Sequence, residues 1–226
     1  MVAGPGQRQR WRRSLSILSR ASVSALLIGI VFFGVVFSAL LSPWLIIGIH
    51  ERAHAVVARK HTRLGAPTAI RIGKRVLCRL PVKYGQRFGL TRVEILVGRV
   101  PSGGRCGHAH IADHQALVEL YAAGVKATGK ASLVAGASCW LLVRAAYVLP
   151  TAGRHIVLCI PGAVLAFAII SLADCVFNLV PRGPKLPRRP EGSDGYVLYR
   201  LARDSTYVPE QQSAEELLRE HGYTPR

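Results

Sequence analysis

Long apolar runs dominate the pattern of hydrophobic and polar positions along this chain. The first, from Ala21 to Ile49, carries no formal charge and would be about 44 Å long as a helix, whereas the hydrocarbon core of a bilayer is about 30 Å thick. A second run extends from Ala131 to Pro150 and is interrupted only by Arg144, and a third extends from Ile156 to Pro181 and is interrupted only by Asp174. The pattern therefore predicts several membrane-spanning helices.

The first run leaves more than one arrangement open because it contains a proline. Pro43 either kinks a single long helix or lies in a turn between a first span, about 21–41, and a second, about 44–60. We favour the turn, since it gives four spans and returns Arg59 to the same cytosolic side as the arginine-rich N-terminus. A cleaved signal peptide is disfavoured because the run is too long for one.

A small β region is predicted between these first spans and the later ones. Residues from about 69 to 104 hold no run long enough to cross a bilayer, and they combine short β-branched stretches with several glycines. Residues 111–124 are typical of a more polar helix, 181–194 of an extended loop, and 213–221 of a short amphipathic helix. We therefore predict an all-α membrane protein with three or four transmembrane helices and a small β-hairpin insertion.

The composition adds an electrostatic constraint to this picture. The chain has 30 lysines and arginines against 12 aspartates and glutamates, which gives a formal net charge of +18. Nucleic-acid binding is disfavoured, because aromatic residues are few and no recognition motif accompanies the basic residues. Basic flanks that contact anionic membrane lipid on the cytosolic side account for the charge better. The five cysteines have no paired spacing, so no disulfide framework is predicted.

The strongest chemical signal is an H-E-x-x-H motif, formed by His50, Glu51 and His54 where the first apolar run ends. Residues four apart lie on one face of a helix, so the two imidazoles can bind one Zn²⁺ while the glutamate reaches a water at the metal. Without a metal, the same side chains would form only a polar helix end at the membrane interface. A catalytic zinc site needs a third protein ligand, for which Asp174 and Asp194 are both candidates by charge alone.

A second polar cluster is a weaker candidate for metal binding. Its potential ligands follow the predicted β region and are Cys106, His108, His110, Asp113 and His114. Clusters of this kind are more often solvated loop residues, and we favour that interpretation.

Two motifs and their order resemble those of the site-2 protease family of intramembrane zinc metallopeptidases. Members of that family combine H-E-x-x-H on one span with an N-x-x-P…D-G motif near a later span, which is matched here by Asn178, Pro181, Asp194 and Gly195. The segment Val100-Pro101-Ser102-Gly103-Gly104 resembles the P-x-G-G turn that follows the family's β segment. Together these matches cover most of residues 44–198.

The resemblance implies a role for each motif residue. His50, His54 and Asp194 would bind zinc; Glu51 would act as the general base, and Asn178 would help to position the substrate strand. The implied activity is zinc-dependent hydrolysis of peptide bonds in or near the transmembrane segments of membrane proteins, at a site that opens toward the cytosol. The substrate would unwind locally, by adding a strand to a β edge in residues 69–100.

The predicted organisation is that of a multi-pass protein of the cell membrane, in contact with lipid and with a transmembrane protein substrate. Residues 1–20 would form a basic cytosolic arm, 21–198 the membrane metallopeptidase domain and 199–226 a cytosolic tail. Within the domain the predicted spans are about 21–41, 44–60, 131–150 and 156–181, with the β region at about 69–104.

A second class of function also fits the motifs. A catalytically inactive relative would keep the fold and bind membrane proteins. It is motivated by Arg52, a charge inside the first motif, and by the segment Ala123-Gly124-Val125-Lys126, which lacks the proline and asparagine that the family has after A-G. Metal content distinguishes this binding module from the enzyme.

Overall fold

The computed structural model describes residues 32, 35–36, 38–63, 66–81, 93–148, 159–183 and 192–224. The predicted N-terminal arm and most of the predicted first span lie outside the described residues. The chain divides into two compact units. One comprises Met1–Leu40 and Ala135–Ala166, and the other comprises Leu41–Val134 and Phe167–Arg226.

Residues 38–61 form one helix, α1, which continues through Pro43 without a turn. The turn predicted at this proline is therefore wrong, and residues 42–43 do not separate a first span from a second. The alternative of one helix that carries the H-E-x-x-H motif beyond the proline is the observed arrangement. A proline inside a helix costs one backbone hydrogen bond, and apolar helices tolerate this loss because neighbouring groups re-satisfy the freed carbonyl.

The predicted β region is present as two strands, β1 (Thr68–Leu80) and β2 (Val93–Gly107). β1 bends at Gly73, whose φ of 83° favours glycine. Because both strands bend, each contributes two ribbons to the sheet. We label these ribbons β1a (68–72), β1b (76–80), β2a (93–98) and β2b (101–107).

The four ribbons pair in the order β1b, β2a, β1a, β2b. β1a pairs in parallel with β2a on one side and antiparallel with β2b on the other, while β1b pairs antiparallel with β2a. The region is therefore more than the hairpin that the sequence predicted, because the bends allow each strand to be used twice. The outermost ribbons are β1b and β2b.

Two further helices in the described part of the chain are long and apolar enough to cross a bilayer. They are α2 (His114–Val148) and α3 (Cys159–Leu179). α2 has 35 residues, about 52 Å at 1.5 Å per residue, and joins the predicted polar helix and the predicted third span in one element. Only 22% and 17% of their most apolar windows are buried, with Leu133 and Ile169 among the exposed side chains.

The described fold ends with two short helices, α4 (Asp194–Arg203) and α5 (Ala214–Glu220). α4 buries Val197 and Leu201 in a cluster that includes Leu117 and Leu120 of α2. The predicted domain boundary at 198–199 therefore falls inside α4, because its apolar side chains on both sides of that point enter one core.

The residues after α4, which were predicted to form a C-terminal tail, also pack against the rest of the fold. α5 confirms the predicted amphipathic helix, and a capping box at Ser213 marks its start. Leu217 and Leu218 are buried against Ala69 and Leu96 of the sheet. The sheet is thus covered on one face by α5, while the cluster around Ile70 and Ile95 on its other face packs on Ala55 of α1.

Candidate metal centre

The three residues of the H-E-x-x-H motif lie near the middle of α1 and are all buried. His50, Glu51 and His54 have exposed fractions of 6%, 7% and 6%. The two imidazoles lie one helical turn apart on the same side of α1, with ring centroids separated by 4.8 Å. Arg52 is exposed, since it lies roughly 100° further around the helix than Glu51. The extra charge in the motif therefore points away from the site.

Asp194, the first residue of α4, completes a group of three metal-ligand side chains. Its Oδ2 lies 2.8 Å from His50 Nε2 and 3.3 Å from His54 Nε2. Donors bound at 2.0–2.1 Å to a tetrahedral zinc ion are about 3.3–3.4 Å apart, which is within about 0.6 Å of both distances. The three ligand atoms all lie within 4.8 Å of one another. Within the described ranges, this is the group of histidine and acidic side chains that could hold a metal ion.

The second nitrogen of each imidazole also faces an acceptor. His54 Nδ1 donates a hydrogen bond of 2.8 Å to the carbonyl of Leu120 in α2. Because a carbonyl only accepts, this bond requires Nδ1 to carry the proton and leaves the Nε2 lone pair free for a metal. His50 Nδ1 lies 3.3 Å from Asp174 Oδ2, and both atoms are buried. Neither atom makes a hydrogen bond in this arrangement, so Asp174, an alternative metal ligand by sequence, lies behind His50 as a nearby charge.

Hydrogen bonds around Ser193 hold Asp194 close to the end of α3. The Ser193 amide donates to the carbonyl of Arg182 at 3.0 Å. The Ser193 hydroxyl donates to the carbonyl of Val180 at 2.8 Å and accepts from the amide of Arg182 at 3.0 Å. The same oxygen caps α4 by accepting from the amide of Tyr196. These bonds form a clasp that closes the long interval between the two halves of the second motif.

Gly195 also allows α4 to lie close to the end of α3. A Cβ at this position would lie 2.8 Å from the carbonyl oxygen of Asn178 and closer still to that of Leu179. The glycine of Asp-Gly is therefore required by helix packing and not by a turn. Of the loop predicted for 181–194, residues 184–191 lie outside the described residues.

Two other glycines make room for the motif side chains. A Cβ on Gly124 of α2 would lie 2.6 Å from His54 Nε2 and closer still to His50 Nε2. A Cβ on Gly104 of β2b would lie 2.7 Å from Glu51 Cδ. The segment predicted as a P-x-G-G turn is in fact part of β2, so its second glycine admits Glu51 to the strand surface. Sequence reasoning noted both glycines within motifs but assigned neither of them a place at the metal centre.

The group lies in a cavity of about 570 Å³. Asn178 lines this cavity, and its amide donates to the carbonyl of Asp174 at 3.0 Å. Burial alone would raise the pKa of the Asp194 carboxyl, but the adjacent imidazoles of His54 and His50 lower it below its usual range. The ionised carboxylate is the form in which an aspartate binds a metal. The cationic residues that line the cavity are Arg71, Lys74, Arg105 and Arg182.

Three of the five candidate ligands in the weaker polar cluster make hydrogen bonds to the backbone. His108 Nδ1 donates to the carbonyl of Ala109 at 2.8 Å, and His114 Nε2 donates to that of Leu201 at 3.1 Å. Asp113 caps the start of α2 by accepting from the amide of Ala116 at 2.7 Å. These side chains do not converge on a common point among the described residues.

Comparisons of the chain with protein-family models, with curated proteins and with solved structures gave no match. The resemblance to site-2 proteases therefore stays a prediction from two motifs and their order.

Proposed function

We propose that this protein is a zinc-dependent intramembrane endopeptidase that resembles the site-2 proteases. The observation that carries the proposal is the convergence of His50, His54 and Asp194 on one point, with Glu51 buried in the same cavity. Two imidazoles and one carboxylate form a ligand set of hydrolytic zinc sites, and this set leaves a fourth position for water or substrate.

Glu51 carries the proton transfers of the proposed reaction. A zinc ion held by the three ligands supplies an acidified water and polarises the peptide carbonyl. Glu51 takes the proton of the attacking water and passes it to the nitrogen of the leaving amine. Its burial beside Gly104 shields this transfer from bulk water. Asn178 lines the same cavity, and we assign to it the contact with the substrate backbone.

The apolar surfaces of α2 and α3 support a location in the membrane. A core helix of a soluble protein is mostly buried, whereas less than a quarter of each apolar window is buried here. Large side chains such as Leu141 and Leu172 would be costly to expose to water, and lipid is the solvent that suits them. A site built among such helices has transmembrane proteins as its natural substrates.

Ribbon β2b offers an edge to an extended substrate. Among the described residues it pairs with β1a on one side and with no strand on the other. Gly103, Gly104 and Cys106 of this ribbon line the cavity. Because a helical substrate shields its own peptide bonds, it must unwind before cleavage, and pairing with an edge strand replaces the lost hydrogen bonds.

This edge differs from the one expected in residues 69–100. Within that stretch, β1a and β2a are paired on both sides and cannot accept another strand. Among the described residues β1b pairs with a strand on one side only, but it lies at the opposite edge of the sheet from β2b. The edge next to Glu51 is β2b, which exists because β2 continues through the residues that were predicted to form a turn.

The test combines metal analysis and cleavage, with the full chain purified in detergent. Wild-type protein should contain about one zinc ion per chain and cleave a transmembrane reporter. Glu51→Gln should retain the zinc and lose about 10²–10⁴-fold in rate, because the ligands remain while the general base is gone. Glu215→Gln, a change of the same kind on the exposed side of α5, is the matched control.

Three results would count against the proposal. Wild-type protein that stays free of metal after incubation with zinc would exclude the metal centre. Zinc-free protein that still binds membrane proteins would favour the inactive relative. Cleavage that persists in Glu51→Gln would exclude the general base.

A further inference from the structure

Two arginines lie on the opposite face of the edge ribbon from Glu51. Arg71 in β1a and Arg105 in β2b are partners in the strand register, so their side chains share one face of the sheet. Gly104, the residue before Arg105, faces Glu51 of α1. Neighbouring residues of a strand point to opposite faces. Both arginines also line the cavity.

The hydrogen-bonding capacity of Arg71 is only partly used. Arg71 is 9% exposed, and its Nε is buried without a hydrogen-bond partner. Its Nη1 lies 3.3 Å from His221 Nε2 and 4.0 Å from Glu220 Oε1. Arg105 Nη1 donates to Gln212 Oε1 at 3.3 Å and lies 3.9 Å from Glu220 Oε2. One half-exposed carboxylate therefore faces two guanidinium groups, and it is beyond hydrogen-bond distance of both.

The guanidinium groups of Arg71 and Arg105 repel each other, although the acidic residues Glu51 and Glu210 line the same cavity. Burial and the neighbouring charge of Arg105 lower the pKa of Arg71, which means that the pair repel each other and are short of solvation. Lys74 adds a further cation to the same cavity. A second carboxylate bound here would relieve the repulsion and form charge-assisted hydrogen bonds with the guanidinium groups.

We propose that Arg71 and Arg105 form a subsite for a carboxylate of the substrate. The substrate residue that carries this carboxylate is the neighbour of the residue whose side chain faces Gly104. The subsite rests on the proposed endopeptidase function and on strand addition to β2b. A substrate strand on the outer side of β2b turns alternate side chains to opposite faces. Those on one face lie toward Glu51 and the metal ligands, and those on the other lie alongside Arg105.

The carboxylate has two possible sources with the same chemistry. An aspartate or glutamate side chain fits a cleavage position inside a longer chain, and a C-terminal carboxylate fits a substrate that ends at the subsite. Both would pair with a guanidinium group through two parallel hydrogen bonds. The position of the acidic group along the substrate therefore becomes a determinant of specificity.

The test measures the binding of dye-labelled peptides to zinc-loaded, full-length Glu51→Gln protein by fluorescence anisotropy. The peptide panel contains a neutral parent, an aspartate scan, the matching asparagine scan, and the parent with an acid or an amide at its C-terminus. Aspartate at one position should bind about tenfold more tightly than asparagine, and Arg105→Gln should abolish this preference without changing the affinity for the neutral parent. A preference confined to the free C-terminus would identify that source instead.

Matched variants separate the subsite from a general effect of charge. Arg219→Gln removes an exposed arginine of α5 and should keep the preference. Arg105→Glu should transfer the preference to a peptide with lysine at the same position. Thermal unfolding first establishes whether Arg71→Gln folds. If it folds, it should abolish the acid preference as Arg105→Gln does. If it does not fold, the result for Arg105→Gln alone tests the subsite.

Three outcomes are distinguishable. Equal affinity for acid and amide throughout the panel, while wild-type protein binds zinc and cleaves the neutral parent, overturns the subsite and leaves the endopeptidase standing. An acid preference that survives Arg105→Gln also overturns the subsite. Absence of zinc and of cleavage for every peptide overturns the endopeptidase and the subsite together.

Discussion

The substitution Gly124→Ala would change the candidate metal centre by one methyl group. The new Cβ would lie 2.6 Å from His54 Nε2 and 2.7 Å from His50 Cδ2, whereas unstrained contacts between heavy atoms are about 3.5–4.0 Å. At least one imidazole must therefore move by about 1 Å, although metal–ligand distances tolerate only about 0.2 Å. Loss of a single outer partner of a ligand costs about 10–100-fold in metal affinity, so a displaced ligand should cost at least that much.

The assay is competition for zinc with a chelator of known affinity, with metal content read by mass spectrometry. Gly136 of the same helix is the matched control, because a Cβ there meets nothing within 4 Å. Both alanines raise helix propensity by about 1 kcal/mol, so that effect is common to the two variants. Gly136→Ala should bind zinc like the wild type. If folded Gly124→Ala also does so, the imidazoles do not hold the metal in this geometry and the reasoning fails.

Three further substitutions test the surroundings of the site and the sheet. Asp174→Asn should lower zinc affinity about 10–100-fold in chelator competition, because His50 loses the charge behind its ring. Ser193→Ala should destabilise the fold by about 2–4 kcal/mol in denaturant unfolding, since α4 loses its cap and the carbonyl of Val180 and the amide of Arg182 each lose a partly buried hydrogen bond. Glu94→Gln should cost about 3–5 kcal/mol, because Arg79 Nε donates to Glu94 Oε2 at 2.8 Å and their side chains are only 6% and 10% exposed.

Each of these expectations has a control in the chain. Ser193→Thr keeps the hydroxyl and should recover most of the stability, and equal losses for threonine and alanine would argue against the clasp. Glu215→Gln breaks an exposed pair and should cost less than about 1 kcal/mol. A similar small cost for Glu94→Gln would show that the pair with Arg79 is solvated. Zinc affinity that is unchanged in Asp174→Asn would remove Asp174 from the centre.

Local rules made part of the fold predictable. The spacing of His50 and His54 places both imidazoles on one side of any helix that contains them, whatever surrounds it. The strands predicted from the β-branched and glycine-rich stretch before α2 are present, and so is the short amphipathic helix predicted for 213–221. These features depend on residues that are close in sequence.

Other features depended on interactions that sequence patterns do not encode. Pro43 is compatible with a turn or with a helix, and in the structure it lies inside helix α1. The bends of β1 and β2 allow a parallel ladder inside what looked like a hairpin. Leu201 and Leu217 are buried, so the predicted tail belongs to the compact unit that also contains the sheet. In each case the deciding contact joins residues that are distant along the chain.

The amino-acid sequence by itself determined the ligand types, their helical spacing and the apolar runs, because each is a property of a short segment. Charge alone left Asp194 and Asp174 equivalent, and the choice of Asp194 came from the resemblance to site-2 proteases. Only the tertiary structure gives the physical reason for that choice: the clasp at Ser193 brings Asp194 to the Nε2 atoms of His50 and His54, while Asp174 faces the other nitrogen of His50. A metal centre is a meeting point of several elements, so its geometry exists only once those elements have packed.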